Sequence, residues 1–172
     1  AYHLARLGCR RVLLLEQGQL GSGTTAQSSC LVRTHYSVPE NVALANAGLA
    51  VFRDFAQYLE DPEADAGFTR CGLLIVAAAD ARVDALRDTL AVERSVGIDA
   101  REIGADDARA IHPLLSLDDI AAIGWEPDAG YADAYLTLSA FVRAGRRLGV
   151  RFEDGVAATG LIRDGTRVTG VD

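Results

Sequence analysis

The run Val12-Leu13-Leu14-Leu15-Glu16 constrains this chain more than any other five residues. Four consecutive aliphatic side chains leave no polar face, so the run reads as a short, wholly buried strand that stops on a carboxylate. A helix-like turn from Tyr2 to Leu7 precedes it, and a small-residue loop, Gly21-Ser22-Gly23-Thr24-Thr25, follows. In a dinucleotide-binding βαβ unit the second strand ends on an Asp or Glu that accepts hydrogen bonds from ribose hydroxyls, about 20 residues after a glycine-rich turn. Counting back that far from Glu16 passes Ala1, so on this reading the G-x-G-x-x-G lies upstream.

The two ends support the same expectation. The sequence has no Met, opens inside a helical pattern, and stops on the second arm of a hairpin turning at Asp164-Gly165. It reads as a fragment, with removal of an initiator Met as the competing explanation. At 172 residues and 49% hydrophobic content it can still bury a core sufficient for one domain or parts of two. Net charge is −7, and all 17 basic residues are Arg, scattered apart from Arg10-Arg11 and Arg146-Arg147. No basic stripe faces a phosphate backbone, so nucleic acid is not an expected partner.

Cys9, Cys30 and Cys71 are odd in number and contain no C-x-x-C, which fits a reducing compartment such as the cytoplasm. His3, His35 and His112 share no metal-ligand spacing, and no metal is expected. No apolar run approaches the ~18 residues of a membrane span. No signal peptide is visible.

Along the chain, Ala1 to Gly8 reads as a helix end with Gly8 as its cap, and Arg11 to Gln17 as the buried strand. Gly18 to Ser37 is a loop long enough to be functional. Pro39 marks a helix start, with Val42, Leu44, Ala45, Leu49, Phe52, Phe55 and Leu59 at helical spacing. Phe68 to Ala78 reads as a strand of a second sheet, and Ala81 to Val96 as an amphipathic helix on Val83, Leu86, Leu90 and Val96. Arg101 to Ile103 is a short strand, Asp106 a candidate cap for a helix to Ile111, and Ile120 to Trp125 another strand. Asp133 is expected to cap a helix from Ala134 to Leu148, followed by a strand, Val150 to Glu153. Val156 to Ile162 and Arg167 to Val171 complete a hairpin. The domains expected are a nucleotide-binding part over 1–61, an insert over 62–130 and a return segment over 131–172.

The loop Gly21 to Ser29 (GSGTTAQSS) offers glycines for close backbone approach, with hydroxyls and N–H groups that can face a pyrophosphate. A plain surface loop has much the same composition. It is not a P-loop, lacking Gly-Lys-Ser/Thr, and no G-x-S-x-G elbow occurs.

The run Leu20 to Ser37, LGSGTTAQSSCLVRTHYS, directly after a strand ending in Glu, resembles the D-amino-acid-oxidase-type flavoprotein superfamily, in particular its sarcosine oxidase and dimethylglycine dehydrogenase branch. Trp125 to Asp133, WEPDAGYAD, and Ala140 to Val171, ending in RVTGV, resemble further stretches of it in order. The resemblance implies an α/β fold: an incomplete Rossmann-like FAD-binding domain interrupted by a mixed-sheet substrate domain. It implies an FAD-dependent oxidoreductase acting on the C–N bond of an amino acid or N-methylated amine, with oxygen or an electron-transfer protein as acceptor. This stretch alone is expected to be inactive.

Carried over by position, Glu16 and Gln17 would hold the adenosine ribose, and Ser22, Gly23, Thr24 and Thr25 would lie along the pyrophosphate. Ser28 and Ser29 would lie near the flavin, and Ala158 would be a strand residue whose backbone meets the adenine, where Val is usual. Arg33, His35 and Tyr36 follow the loop. An Arg there can pair bidentately with a substrate carboxylate, and the imidazole or phenol can tune the amine's protonation. The competing reading pairs Arg33 with a nearby acid and leaves His35 and Tyr36 as packing; His35 as a covalent flavin anchor is a third. Two alternatives to the whole reading stand: an NAD-dependent Rossmann enzyme, and a non-catalytic flavin-binding subunit or truncated product.

Overall fold

The computed structural model describes every residue from Ala1 to Asp172. Its elements are α1 (Tyr2–Arg6), β1 (Leu13–Glu16), β2 (Leu31–Val32), α2 (Pro39–Arg53), α3 (Phe55–Leu59), β3 (Leu73–Ala77), α4 (Asp80–Ser95) and β4 (Arg101–Ile103). They continue with α5 (Ala105–Ile111), β5 (Ala122–Glu126), β6 (Gly130–Tyr131), α6 (Ala134–Arg147), β7 (Arg151–Asp154), β8 (Leu161–Asp164) and β9 (Arg167–Val171). The chain divides into two compact units. One comprises Ala1–Ser29, Ala56–Ala66 and Asp133–Asp172, the other Cys30–Phe55 and Gly67–Ala132. The long helix α2 therefore belongs with the second unit, not with the opening segment as its sequence position suggested. Its buried residues Val42 and Leu49 give it a core-facing side there.

In the first unit β1 pairs in parallel with β7, from Leu13 opposite Arg151 to Glu16 opposite Asp154. The ladder runs on past the strands, with Val156 N–H donating to the Glu16 carbonyl and Gly155 N–H to that of Gly18. β1 is not sealed as its aliphatic run predicts: Leu13 is 45% exposed, because the sheet here is only two strands wide. α6 starts where expected, its Asp133 carboxylate accepting the Leu136 N–H at 2.8 Å and so satisfying an otherwise orphaned helix donor. The small residues Ala140, Ala144 and Gly145 are its buried face.

α1 packs on α6 through Tyr2, whose ring meets Phe141 edge-on at 5.4 Å and whose hydroxyl donates to the Tyr58 carbonyl. The expected hairpin is shorter than its sequence pattern. β8 begins only at Leu161, and Ala158 lies outside any strand, in the irregular stretch before it. The register shift between Ile162 and Arg163 accounts for the offset of the two arms.

Asp61 ties this unit together electrostatically. Its Oδ2 accepts from Arg143 Nε at 2.7 Å and from Arg147 at 2.8 Å, while Arg147 also donates to the Leu59 carbonyl. The hydrogen bond from Arg143 holds the Asp61 carboxyl below its ordinary value of 3.8, aided by the Glu63 N–H and Arg147 and opposed by burial. A carboxyl more acidic in the folded state stabilises the fold above the unfolded-state value and loses that contribution as pH falls through the folded one. Wild type is therefore expected to melt higher than Asp61→Asn at neutral pH, with the gap closing below pH 3.8. Thermal melts across pH 2–7 check this, and a gap that stays constant would refute the role.

In the second unit β3, β5 and β4 form an antiparallel sheet in that order, with Ile75 opposite Gly124 and Ile103 opposite Ile123. The mixed sheet expected of this region is thus wholly antiparallel. Alternation along β5 divides its faces. Ala122 packs with Leu86 and Leu90 of α4, Ala77 and Ala100, whereas Ile123 packs with Ala108 of α5 and Leu117. Both faces of the sheet are covered, which fits the burial of Ala122, Ile123 and Gly124 in a row.

α2 ends at Arg53, before the helical spacing of apolar residues runs out at Leu59. Asp54 leaves helical geometry (φ −122°, ψ 43°), and Phe55 opens the separate turn α3. Phe52 stacks on Phe55 at 6.1 Å and tilts against Phe68. Asp106 sits within the first turn of α5 rather than capping it; Gly104 is the residue before the helix. The long loop contains a strand the sequence did not reveal, β2, paired antiparallel with β6. Two-residue strands carry no periodic signal. No helix is long and apolar enough to cross a membrane.

Candidate functional site

β1 delivers Glu16 to the start of the Gly/Ser/Thr loop. Its carboxylate Oε1 accepts the Gly18 N–H at 2.8 Å, which folds the chain back at the strand end. The loop then turns on itself, with Ser22 N–H donating to the Gln19 carbonyl and Ala26 N–H to that of Gly21. A Cβ at Gly18 would lie 3.0 Å from the Ser22 hydroxyl oxygen, so Gly18 lets Ser22 approach the strand end. Gly23 has nothing within 4 Å of where a Cβ would be, which leaves its backbone open. Gln17, Ser22, Thr24, Thr25, Ser28 and Ser29 are all exposed. This is a carboxylate at a strand end followed by an open, hydroxyl-bearing backbone, the donor and acceptor set that a ribose and a diphosphate need. Ala158 is likewise exposed, outside the strand in which it was expected.

The second unit holds Arg33, His35 and Tyr36. Arg33 donates through a guanidinium nitrogen to the carbonyl of His35 and lies over the Tyr36 ring at 4.7 Å. No acid pairs with it, unlike Arg53 and Arg70, which both pair with Asp128. The imidazole of His35 is occupied differently. Its Nδ1 is 3.3 Å from both Glu93 oxygens and 3.6 Å from Glu126 Oε1.

Both acids are buried, Glu93 at 0% and Glu126 at 1% exposure. Glu126 stands at the end of β5, and its Oε2 accepts from the N–H of Thr34 at 3.0 Å and from its hydroxyl at 2.9 Å. Its Oε1 receives no hydrogen bond. Burial pushes the Glu126 carboxyl up to about 7, reinforced by the Glu93 carboxylate and opposed by the Thr34 donors.

Glu93, Glu126 and Thr34 did not stand out in the sequence, although one signal was present. Val83, Leu86 and Leu90 mark the inward stripe of α4, and Glu93 falls three residues further along it, an acid in an apolar register. The contact of His35 with Glu93 spans 58 residues of sequence, so no spacing rule reveals it.

The whole chain, residues 1–172, matches the family model described as DAO: FAD dependent oxidoreductase. The protein belongs to that family of FAD-dependent oxidoreductases, which removes the NAD-dependent alternative. It is 32% identical to 4-methylaminobutanoate oxidase (formaldehyde-forming) of Paenarthrobacter nicotinovorans, over 99% of this chain and 20% of that protein. It is 26% identical to the sarcosine oxidase subunit beta of an Arthrobacter species, over 99% of this chain and 43% of that one. The fold is shared with the L-proline dehydrogenase of P. horikoshii, with a TM-score of 0.89 at 21% identity over 99% of this chain and 44% of that chain. The chain thus spans from about a fifth to under half the length of these relatives.

Proposed function

We propose that this chain is part of an FAD-dependent oxidoreductase that oxidises the C–N bond of a small amino acid or N-methylated amine. The observation that carries the reading is Glu16, held at the carboxyl end of a parallel strand beside an open Gly/Ser/Thr loop. Family membership makes FAD the cofactor that this constellation serves, and the relatives' names supply the amine chemistry. When bound, FAD supplies the two-electron acceptor for the carbon beside the amine.

In this reading Glu16 and Gln17 hold the ribose, Ser22, Gly23, Thr24 and Thr25 face the diphosphate, and Ser28 and Ser29 lie nearer the ring. Ala158 contributes only backbone to the adenine. Arg33 takes the substrate carboxylate. Its freedom from any acid partner supports that role, and the Tyr36 ring and His35 carbonyl fix the guanidinium plane. Molecular oxygen or an electron-transfer protein is the final acceptor.

The test is the complete gene product, purified and assayed for bound flavin and for turnover of sarcosine, dimethylglycine, glycine and proline. Bound flavin with turnover of one of these is the expected result. Bound flavin with no turnover of any amine would favour a non-catalytic flavin-binding subunit, and absence of flavin would refute the cofactor assignment.

A further inference from the structure

We propose that His35, Glu93 and Glu126 form a binding site for a single divalent transition-metal ion of the zinc class. Each residue offers one ligand atom, and these atoms all lie within 4.8 Å of one another. The His35 Nδ1 separations are 3.3 Å to Glu93 and 3.6 Å to Glu126. Ligand atoms about 2.0–2.2 Å from a tetrahedral ion lie roughly 3.3–3.6 Å from each other, and both separations from the His35 Nδ1 match that spacing.

The way Glu126 is held supports the same assignment. Thr34 ties down Oε2 with two donors and leaves Oε1, buried and without a hydrogen bond, turned toward His35. A ligating carboxylate is typically arranged in this way, one oxygen oriented by protein donors and the other given to the metal. Glu93 adds an independent argument. It is fully buried in the last turn of α4, where the helix dipole disfavours negative charge, and no Arg reaches it. Two buried carboxyls face one largely buried imidazole, and burying unpaired charge is costly, so a proton or a cation must offset their charge, and the ligand geometry favours the cation.

The imidazole selects the ion's class. Calcium and magnesium prefer all-oxygen shells, whereas a nitrogen ligand with two carboxylates suits zinc and its neighbours. The three side chains leave a fourth position for water. The His35 side chain is 18% exposed and the carboxylates are sealed, so an ion enters past the imidazole. The site rests on groups of the second unit alone and is independent of the flavin assignment.

The test uses the complete gene product, stripped with a chelator, dialysed against limiting Zn2+ and analysed for metal per chain. About one equivalent of zinc is expected to remain on wild type, with affinity lowered at least about tenfold in Glu126→Gln and in His35→Gln. Cobalt in place of zinc is expected to give the visible absorption of a low-coordinate site in wild type and not in the variants. Should Glu126→Gln fail to fold, the His35→Gln variant, at the partly exposed edge of the trio, carries the comparison. Folded wild type that retains no zinc, or variants that retain as much as wild type, would overturn the proposal. In the first case the trio holds a shared proton instead.

Discussion

Gly130→Ala is expected to destabilise the second unit by about 3 kcal/mol, the upper range for forcing an extra methyl into packed structure. A Cβ at Gly130 would lie 2.0 Å from the carbonyl oxygen of Thr69 and 3.1 Å from the Arg70 Cα. Both are backbone, so neither can rotate away. The close approach is built by the paired hydrogen bonds between Thr69 and Tyr131, at 2.8 and 3.1 Å, which bring the segment before β3 against β6. An added methyl must break that bridge or push β6 off β2, its antiparallel partner. Gly48→Ala is the control. It lies inside α2 with nothing within 4 Å of its Cβ position, and there alanine is expected to be neutral or stabilising by roughly 0.5–1 kcal/mol. Urea titrations of the two variants measure the contrast, and equal midpoints would show that the Thr69 segment yields without cost.

Glu16→Ala is expected to weaken FAD binding by the complete gene product about 10- to 100-fold, the loss of one or two hydrogen bonds to a charged acceptor. Two functions are lost together: the carboxylate offered to the ribose, and the acceptor that folds Gly18 back at the strand end. Glu16→Gln separates them. Its amide oxygen still accepts the Gly18 N–H, so the loop keeps its turn while the negative charge disappears. An intermediate affinity is expected, read by quenching of flavin fluorescence on titration. Unchanged affinity in both variants would remove Glu16 from the cofactor site while leaving the family membership intact.

The parts of the fold that the sequence revealed are those made by local chemistry. Asp133 capping α6, Pro39 opening α2 and Gly8 (φ +95°) closing α1 each depend on residues within a turn of one another. Val83, Leu86 and Leu90 show α4 because a helix repeats its buried face every three to four residues. The elements that escaped lack any such repeat. β2 and β6 are two residues each and exist because they pair with one another across about a hundred residues. The end of α2 at Arg53 was hidden because apolar spacing continues to Leu59 through the separate turn α3.

The candidate residues divide in the same way. Glu16 and the loop to Ser29 were legible because a strand-end acid and a glycine-bearing turn are contiguous in sequence. Arg33, His35 and Tyr36 were found as residue types, but their surroundings were not. Arg33 finds a carbonyl and an aromatic ring instead of an acid, and His35 finds two.

The sequence by itself determined the α/β character, the cap of α6, the Pro that opens α2 and the Gly that closes α1, and the motif order by which the family is recognised. Only the tertiary structure decided that α2 packs with the second unit, that Gly130 must carry no side chain, and that His35 faces Glu93 and Glu126. The physical reason is common to all three. Capping and amphipathicity are interactions between neighbours in the chain, whereas a buried charge cluster or a backbone contact exists only once distant segments have been folded together.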